Sequence, residues 1–221
     1  MNFRGGWWFP LRWERKMDRR FGRFICTVFT PAADRLSELF FHAARARAIQ
    51  LLRLKAMERV LIVGVNTGLD IPFLPPGLWV TGVDSNASKL QRARERTHGH
   101  YVTLERMEPQ SLQYADHSFN AVILHLVLGN TPDSATTFQE AWRVVRPGGR
   151  LVILDRFLPE GDQVSPICLW FERITRTDCL GMNRRLSDVI GSRTEMVIER
   201  NEPATLFGCY QIILIRKEKS K

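Results

Sequence analysis

The chain has 221 residues, of which 44% are hydrophobic and 25% charged, as expected for one folded domain with a substantial core. No apolar stretch approaches the roughly 20 residues of a membrane-spanning helix, and we expect no signal peptide in the N-terminal residues. The four cysteines are widely spaced and form no CxxC pair. This argues against a zinc site, so we expect no metal, and favours a cytoplasmic location.

The net charge of +9 lies almost entirely in the N-terminal quarter of the chain. Residues 1–59 hold thirteen Lys and Arg against five Asp and Glu, a balance of +8, whereas the other residues hold nineteen against eighteen. The asymmetry indicates an anionic partner for the N-terminal segment, which would be a membrane surface, a nucleic acid or an acidic substrate.

Two helices are predicted in this N-terminal segment, residues 1–56. Over residues 7–25, aromatic and arginine side chains separate to two faces, which is typical of a helix in an anionic membrane interface. The alternative is a helix that packs as a cap over a ligand-binding cleft in the rest of the chain. The second helix covers Asp34–Lys55. Its predicted apolar face consists of Leu36, Phe40, Ala43, Ala44, Ala48 and Leu51.

Strands and helices alternate in the rest of the chain, residues 57–221, which we predict to be one α/β domain. Two helices are expected, over Asn86–Thr97 and from Thr131-Pro132 to a stop before Pro147. Fully apolar strands imply a mostly parallel sheet covered on both faces, with the last two strands forming a hairpin. The seven predicted strands are Arg59–Val63, Leu78–Val83, Tyr101–Leu104, Phe119–Val127, Arg150–Leu154, Glu195–Glu199 and Cys209–Arg216.

A loop that follows the first strand has the pattern of a nucleoside site. Gly64 and Gly68 bracket a turn in which backbone N–H groups approach a ligand closely, because glycine has no Cβ. Asp84 ends the second strand, where a carboxylate accepts hydrogen bonds from both ribose hydroxyls. Neither the GxGxxG fingerprint nor a phosphate loop ending in GK[ST] is present. A nucleoside that carries no phosphates needs neither of these loops, so it is the expected ligand.

Four segments in the right order resemble class I S-adenosylmethionine-dependent methyltransferases over residues 59–158. They are "VLIVGVNTG", Asp84, "MEPQSLQYADHSFNAVILHLVL" and "AWRVVRPGGRLVILDRF". The resemblance implies a Rossmann-like class I methyltransferase fold with S-adenosylmethionine as cofactor. The cofactor-binding residues that it implies are Gly64, Val65, Asn66, Thr67, Gly68, Asp84, Ser85, Glu108, Pro109, Leu124 and His125.

Two positions depart from the family pattern. Ile62 occupies the place of an acidic residue, and Asn66 occupies the place of the middle glycine. If the second position requires a positive φ, asparagine is the mildest replacement, at a cost of about 1 kcal/mol. Asp70, just after the loop, is a candidate substitute for the missing acid. We therefore expect a working site with altered contacts.

The segments "TGLDIPFLP" and "HLVLGNTPD" resemble bacterial phosphatidylethanolamine N-methyltransferases and the related ubiquinone/menaquinone C-methyltransferases. This resemblance implies a lipophilic acceptor, most simply a phospholipid amine, and an enzyme at the inner face of the membrane. The alternatives are a methyltransferase for a soluble small molecule and a non-catalytic relative. Nucleic acid is disfavoured because no [DN]PP[YF] motif follows the fourth strand.

His125 is the candidate catalytic residue because it ends the fourth strand, near the expected position of the methyl group. It would take a proton from the acceptor, or it would only shape the pocket. Asp155, at the end of the fifth strand, is a second candidate. The "RRLSD" segment around Arg184 is a candidate phosphate contact.

Overall fold

The computed structural model describes residues 38–99, 101–158, 184–191, 193–204 and 210–219. The basic segment 7–25 and all four cysteines lie outside these residues, so the predictions made for them stay predictions. Within the described ranges, no helix is both long and apolar enough to cross a membrane.

Seven strands and four helices make up the described fold. The strands are β1 (Arg59–Val63), β2 (Trp79–Asp84), β3 (Tyr101–Arg106), β4 (Phe119–His125), β5 (Val145–Arg156), β6 (Met196–Pro203) and β7 (Tyr210–Lys217). The helices are α1 (38–51), α2 (Ala87–Arg94), α3 (Ser134–Val144) and α4 (Leu186–Ile190). Short 3₁₀ turns cover Ile71–Phe73 and Leu128–Asn130.

The strands form one sheet in the order β3-β2-β1-β4-β5-β7-β6. Strands β1 to β5 pair in parallel, whereas β7 is antiparallel to both β5 and β6. The predicted seven-stranded sheet with a C-terminal antiparallel hairpin is thereby confirmed. The strand order reverses between β1 and β4, and ligands of open α/β sheets bind beyond the carboxyl ends at that point.

Helix α1 packs against one face of the sheet and belongs to the same core as the strands. The buried residues Ala44, Ala48 and Ile49 of α1, and Leu52 directly after it, share an apolar cluster with the side chains of β1, β4, β5 and β7 that point to this face. Residues 44–52 therefore share a hydrophobic core with the strands that follow them. The predicted apolar face of α1 is partly wrong, because Phe40 and Ala43 are exposed while Ile49 and Leu52 are buried.

Helix α3 covers the opposite face, where Phe138, Ala141 and Trp142 are buried against the other side of β4 and β5. Two predicted boundaries near this helix are wrong. Strand β4 ends at His125 and not at Val127, because Leu126 takes a positive φ of 55° that no strand accommodates. The cap of α3 is Asp133 and not Thr131, because the Asp133 side chain accepts a hydrogen bond from the backbone N–H of Thr136.

Candidate cofactor and acceptor site

The loop between β1 and the first 3₁₀ turn has three left-handed residues at alternate positions. The φ angles are 68° at Gly64, 55° at Asn66 and 81° at Gly68. Asn66 thus adopts the backbone conformation that the missing glycine would supply. A Cβ added at Gly64 would lie 2.6 Å from Cγ2 of Val127, so this position also requires a residue without a side chain.

Asp84 lies at the carboxyl end of β2 and holds this loop in place. Its Oδ2 accepts a hydrogen bond from the backbone N–H of Asn66 at 3.0 Å, and its Oδ1 accepts one from Asn86 N–H at 2.9 Å. Each carboxylate oxygen has a second lone pair, so Asp84 retains the capacity to accept two further donors. A vicinal diol such as that of ribose presents two such donors.

The other predicted cofactor residues are distributed around this point. Val65, Thr67 and Leu124 are buried, and Ser85 and Pro109 are half-buried. Glu108 is exposed after β3, where the backbone N–H of the preceding Met107 still bonds to the carbonyl of Asp84. Asp84 and Glu108 therefore lie at the ends of two neighbouring strands, β2 and β3, at the same edge of the sheet.

Asp70 and His125 form a buried hydrogen-bonded pair beside the loop. Nδ1 of His125 lies 2.7 Å from Oδ1 of Asp70, and Nη1 of Arg45, on α1, lies 2.7 Å from the same oxygen. Both carboxylate and imidazole side chains are almost fully buried, at 2% and 0% exposure. We refer to Arg45, Asp70 and His125 as the buried triad.

The charge state of Asp70 follows from these contacts. Burial acts to raise the pKa of Asp70, but the charges and hydrogen bonds of His125 and Arg45 hold that pKa well below its usual range. Asp70 is therefore an anion and acts only as an acceptor. The proton in its contact with His125 lies on Nδ1, which leaves Nε2 with the lone pair when the ring is neutral.

The position at which the family has an acidic residue is apolar in this structure, and the suggested substitute, Asp70, is bound to other side chains. Ile62 is fully buried in the apolar cluster under α1, together with Ile71 of the first 3₁₀ turn. Asp70 supplies a carboxylate nearby in the chain, but it is committed to Arg45 and His125. Arg45 was not predicted as a site residue, and the only sign of it in the sequence is an arginine on the otherwise apolar side of α1.

Asp155 and Arg184 both bind the backbone that follows β4. Oδ2 of Asp155 accepts hydrogen bonds from the N–H groups of Leu128 and Gly129, at 2.8 and 3.2 Å. Burial raises the pKa of Asp155 although these donors oppose the rise. Nη1 of Arg184 donates to the carbonyl of Leu128 at 2.6 Å. Both side chains therefore position the loop after β4, and Arg184 contacts carbonyl oxygens where the sequence suggested a phosphate.

Three buried polar atoms lack a hydrogen-bond partner among the described residues: Oγ1 of Thr67, Nε2 of His125 and Nε of Arg45. The first two lie at the carboxyl ends of β1 and β4, at the ligand-binding edge of the sheet. Unsatisfied buried polar atoms at such a place indicate a missing polar partner. The Thr67 hydroxyl, together with Gly64, Gly68 and Asp84, fits a nucleoside cofactor that carries polar groups. The structure shows no cluster of His, Cys, Asp or Glu suited to a metal ion within its described ranges.

Comparison with known proteins identifies similar chains. Residues 61–153 match the family described as "Methyltransferase domain". Phosphatidylethanolamine N-methyltransferase of Cereibacter sphaeroides is 34% identical over 103 residues, which are 45% of this chain and 51% of that protein. The ubiquinone/menaquinone biosynthesis C-methyltransferase UbiE of Desulfotalea psychrophila is 32% identical over 52% of this chain and 48% of its own length.

The aligned segments thus span about half the length of these two relatives. Among solved structures, a SAM-dependent methyltransferase from Aquifex aeolicus superposes with a TM-score of 0.55 at 18% identity. The superposition covers 81% of this chain and 90% of that one. At this identity the likeness concerns the fold.

Proposed function

Residues 61–153 form a class I S-adenosylmethionine-dependent methyltransferase domain, and on this premise we propose that the protein methylates a lipophilic acceptor, most simply the amine of a phospholipid. The resemblance inferred from the four sequence segments is confirmed for this domain. The acceptor and the activity of the whole chain are the content of the proposal.

The observation that carries the cofactor part of the proposal is the geometry of the loop 64–68 and of Asp84, which binds this loop. Gly64, Asn66 and Gly68 keep the alternating left-handed backbone, and Asp84 retains two acceptor sites beneath it. A non-glycine residue with a left-handed backbone, such as Asn66, is typical of functional sites. We therefore infer an active cofactor site in spite of the two departures from the family pattern.

The lipophilic acceptor is supported by two independent features. The names of the two relatives refer to lipophilic molecules, phosphatidylethanolamine in one and ubiquinone/menaquinone in the other. The basic segment of residues 7–25 supplies arginines and tryptophans suited to an anionic membrane interface. A peripheral position at the inner membrane face would bring the acceptor to the domain.

When bound, S-adenosylmethionine supplies a methyl group that is already activated for transfer. The chain has to orient the two reactants and exclude water. Asp84 and the loop 64–68 would hold the nucleoside part, and Glu108 would border the base. Oγ1 of Thr67 and Nε2 of His125 have no hydrogen-bond partner among the described residues, so both can bind a reactant. The loop after β4, fixed by Asp155, would line the acceptor side.

Calorimetric titration tests the cofactor site directly. We expect micromolar binding of S-adenosylmethionine and S-adenosylhomocysteine, weakened about 100-fold or more in Asp84→Ala, because each hydrogen bond to a charged group contributes roughly 1.5–3 kcal/mol. Asp116→Ala is a matched control, since its carboxylate is exposed and contacts Arg143. A folded protein that binds neither compound would support the non-catalytic alternative.

Methyl transfer to three acceptors then separates the remaining alternatives. Vesicles with phosphatidylethanolamine test the proposal, and glycerophosphoethanolamine presents the same amine without the lipid tails. Vesicles with demethylmenaquinol test the second candidate, which the quinone methyltransferase relatives favour. Activity on the soluble amine alone would contradict a lipophilic acceptor.

A chain lacking residues 1–25 that still bound anionic vesicles would contradict the role of that segment.

A further inference from the structure

We propose that His125 is the proton acceptor of the methyl-transfer site and that Asp70 and Arg45 are positioning residues that fix its tautomer and charge. This inference rests on the proposed function. It specifies the acceptor as a group that must lose a proton in order to react, such as an ammonium, a hydroxyl or an acidic C–H.

The position of His125 places it at the cofactor loop. Strand β4 pairs with β1 as far as Leu124 opposite Val63. His125 is the next residue and therefore lies beside Gly64, the first residue of the loop. On its other side, β4 pairs with β5, and His125 is opposite Leu154. His125 thus occupies the centre of the sheet edge where ligands bind in this type of fold.

The two ring nitrogens of His125 have different environments. Nδ1 is bound to the Asp70 carboxylate at 2.7 Å, whereas Nε2 is buried without a hydrogen-bond partner among the described residues. A carboxylate on one nitrogen fixes the tautomer that leaves the lone pair on the other, and it stabilises the imidazolium after a proton arrives. A histidine with only a packing role in the core is expected to have both ring nitrogens hydrogen-bonded within the protein. His125 has one nitrogen bound to a buried anion and the other without a partner among the described residues.

Three charged groups face His125 from the surrounding elements. Asp70 approaches from the turn after β1, Arg45 from α1 and Asp155 from the end of β5. Arg45 shares Oδ1 of Asp70 with His125 and keeps that carboxylate ionised, so the transferred proton remains on the imidazole. Without Arg45, burial would favour a neutral Asp70, and the N–H at Nδ1 of His125 would lose its anionic acceptor.

The proposed step balances in atoms and charge. The bond between the acceptor nucleophile and its proton breaks, and Nε2 of His125 takes the proton. The nucleophile forms a bond to the methyl carbon while the carbon–sulfur bond of the sulfonium breaks, with its electron pair remaining on sulfur. The positive charge of the sulfonium is replaced by that of the imidazolium, which later releases its proton to water.

The pH profile of the methyl-transfer rate tests the role of His125. We expect His125→Gln to lower kcat about 10²- to 10³-fold near pH 7, the usual contribution of a general base. The deficit should shrink toward about pH 10, where an amine acceptor loses its proton to solvent. Binding of S-adenosylhomocysteine should change less than about threefold, because the cofactor is held mainly by Asp84 and the loop. His117→Gln is the matched control, since His117 precedes the opposite end of β4.

A second measurement is independent of turnover. Correlation of ring ¹⁵N and ¹H signals in the protein bound to S-adenosylhomocysteine should show that the neutral ring of His125 carries its proton at Nδ1 and not at Nε2. Asp70→Asn should increase the fraction of the other tautomer. This variant leaves Arg45 without its anion, so His125→Gln provides the test of activity if Asp70→Asn does not fold.

The outcomes separate the inference from the proposed function. A deficit of His125→Gln that is the same at all pH values, or an Nε2–H tautomer in the wild-type protein, would overturn the inference. A wild-type protein that binds the cofactor but methylates none of the three acceptors would contradict the proposed function, and the tautomer would still decide the role of Asp70 and His125.

Discussion

Gly64 packs directly against the side chain of Val127. A Cβ added at Gly64 would lie 2.6 Å from Cγ2 of Val127 and would overlap with it. The contact joins the first residue of the cofactor loop to the segment that follows β4. Any side chain at residue 64 would displace one of these two walls of the site.

We expect Gly64→Ala to reduce the free energy of unfolding by about 2–4 kcal/mol, from both the left-handed backbone and the overlap. Gly99→Ala is the matched control, because Gly99 has a φ of 82° and no atom within 4 Å of an added Cβ. It should lose about 1–2 kcal/mol from the backbone alone. Urea denaturation measures both values, and equal losses would show that Val127 yields without cost.

Asn66 provides a test of the left-handed position itself. Asn66→Val should lose about 1–2 kcal/mol of stability, since a β-branched residue is strongly disfavoured at a φ of 55°. Asn66→Gly should be as stable as the wild type or more stable, and should bind S-adenosylhomocysteine at least as well. Weaker binding by Asn66→Gly would mean that the exposed amide contacts the cofactor directly.

Arg45 and Arg47 form ion pairs of the same length from the same helix, but in different surroundings. The Arg45–Asp70 pair is buried, whereas Arg47–Glu202 is largely exposed, and both measure 2.7 Å. We expect Arg45→Met to lose about 3–5 kcal/mol, because it leaves a buried anion with only His125. Arg47→Met should lose less than about 1 kcal/mol. Thermal or urea unfolding at neutral pH would distinguish the two.

The Arg45 effect should also depend on pH. The pKa of Asp70 is lowered in the folded state, so its ionised form stabilises the protein above the ordinary value of 3.8. This contribution is lost as the pH falls below that value. The difference in stability between the wild type and Arg45→Met should therefore shrink as the pH falls below about 4. A difference that grew on acidification would contradict an ionised Asp70.

Arg150 links the end of α1 to the sheet. Its Nη1 donates to the carbonyls of Leu52 and Arg53, at 2.5 and 3.0 Å, and its Nη2 binds both carboxylate oxygens of Glu58. Lysine cannot reproduce this set of contacts, so Arg150→Lys should lose about 1–3 kcal/mol and speed hydrogen exchange at the end of α1. Arg216→Lys is the control, because its partner in the sheet register is Arg150 but its ion pair is exposed.

The sequence predicted most of the sheet because its strands are short apolar runs between clear turn residues. The family pattern raised a positive φ at residue 66 only as a condition, and the structure shows that the condition holds. The sequence did not predict the end of β4, because an apolar run gives no sign of the left-handed Leu126. The cap of α3 was placed two residues early, because the Thr-Pro pair and Asp133 are both acceptable helix starts.

The buried triad was beyond the reach of sequence patterns for a different reason. Arg45, Asp70 and His125 are separated by 25 and 55 residues, and they meet only when α1 packs across the ends of β1 and β4. Asp70 and His125 were both singled out from the sequence, but separately and for different roles. The Asp70–His125 contact depends on the pairing of β1 with β4, and the Arg45 contact depends on how α1 packs against the sheet; local periodicity determines neither.

The left-handed Asn66 has a consequence for how such proteins are recognised. A fixed GxGxG pattern requires glycine at the middle of this loop and passes over chains that place asparagine there, although a comparison over the whole domain still matches them. A template written in backbone torsion angles, with alternating positive φ values and a carboxylate below them, retains these chains. Genomes scanned with such a template should yield methyltransferase domains that a glycine-based pattern discards.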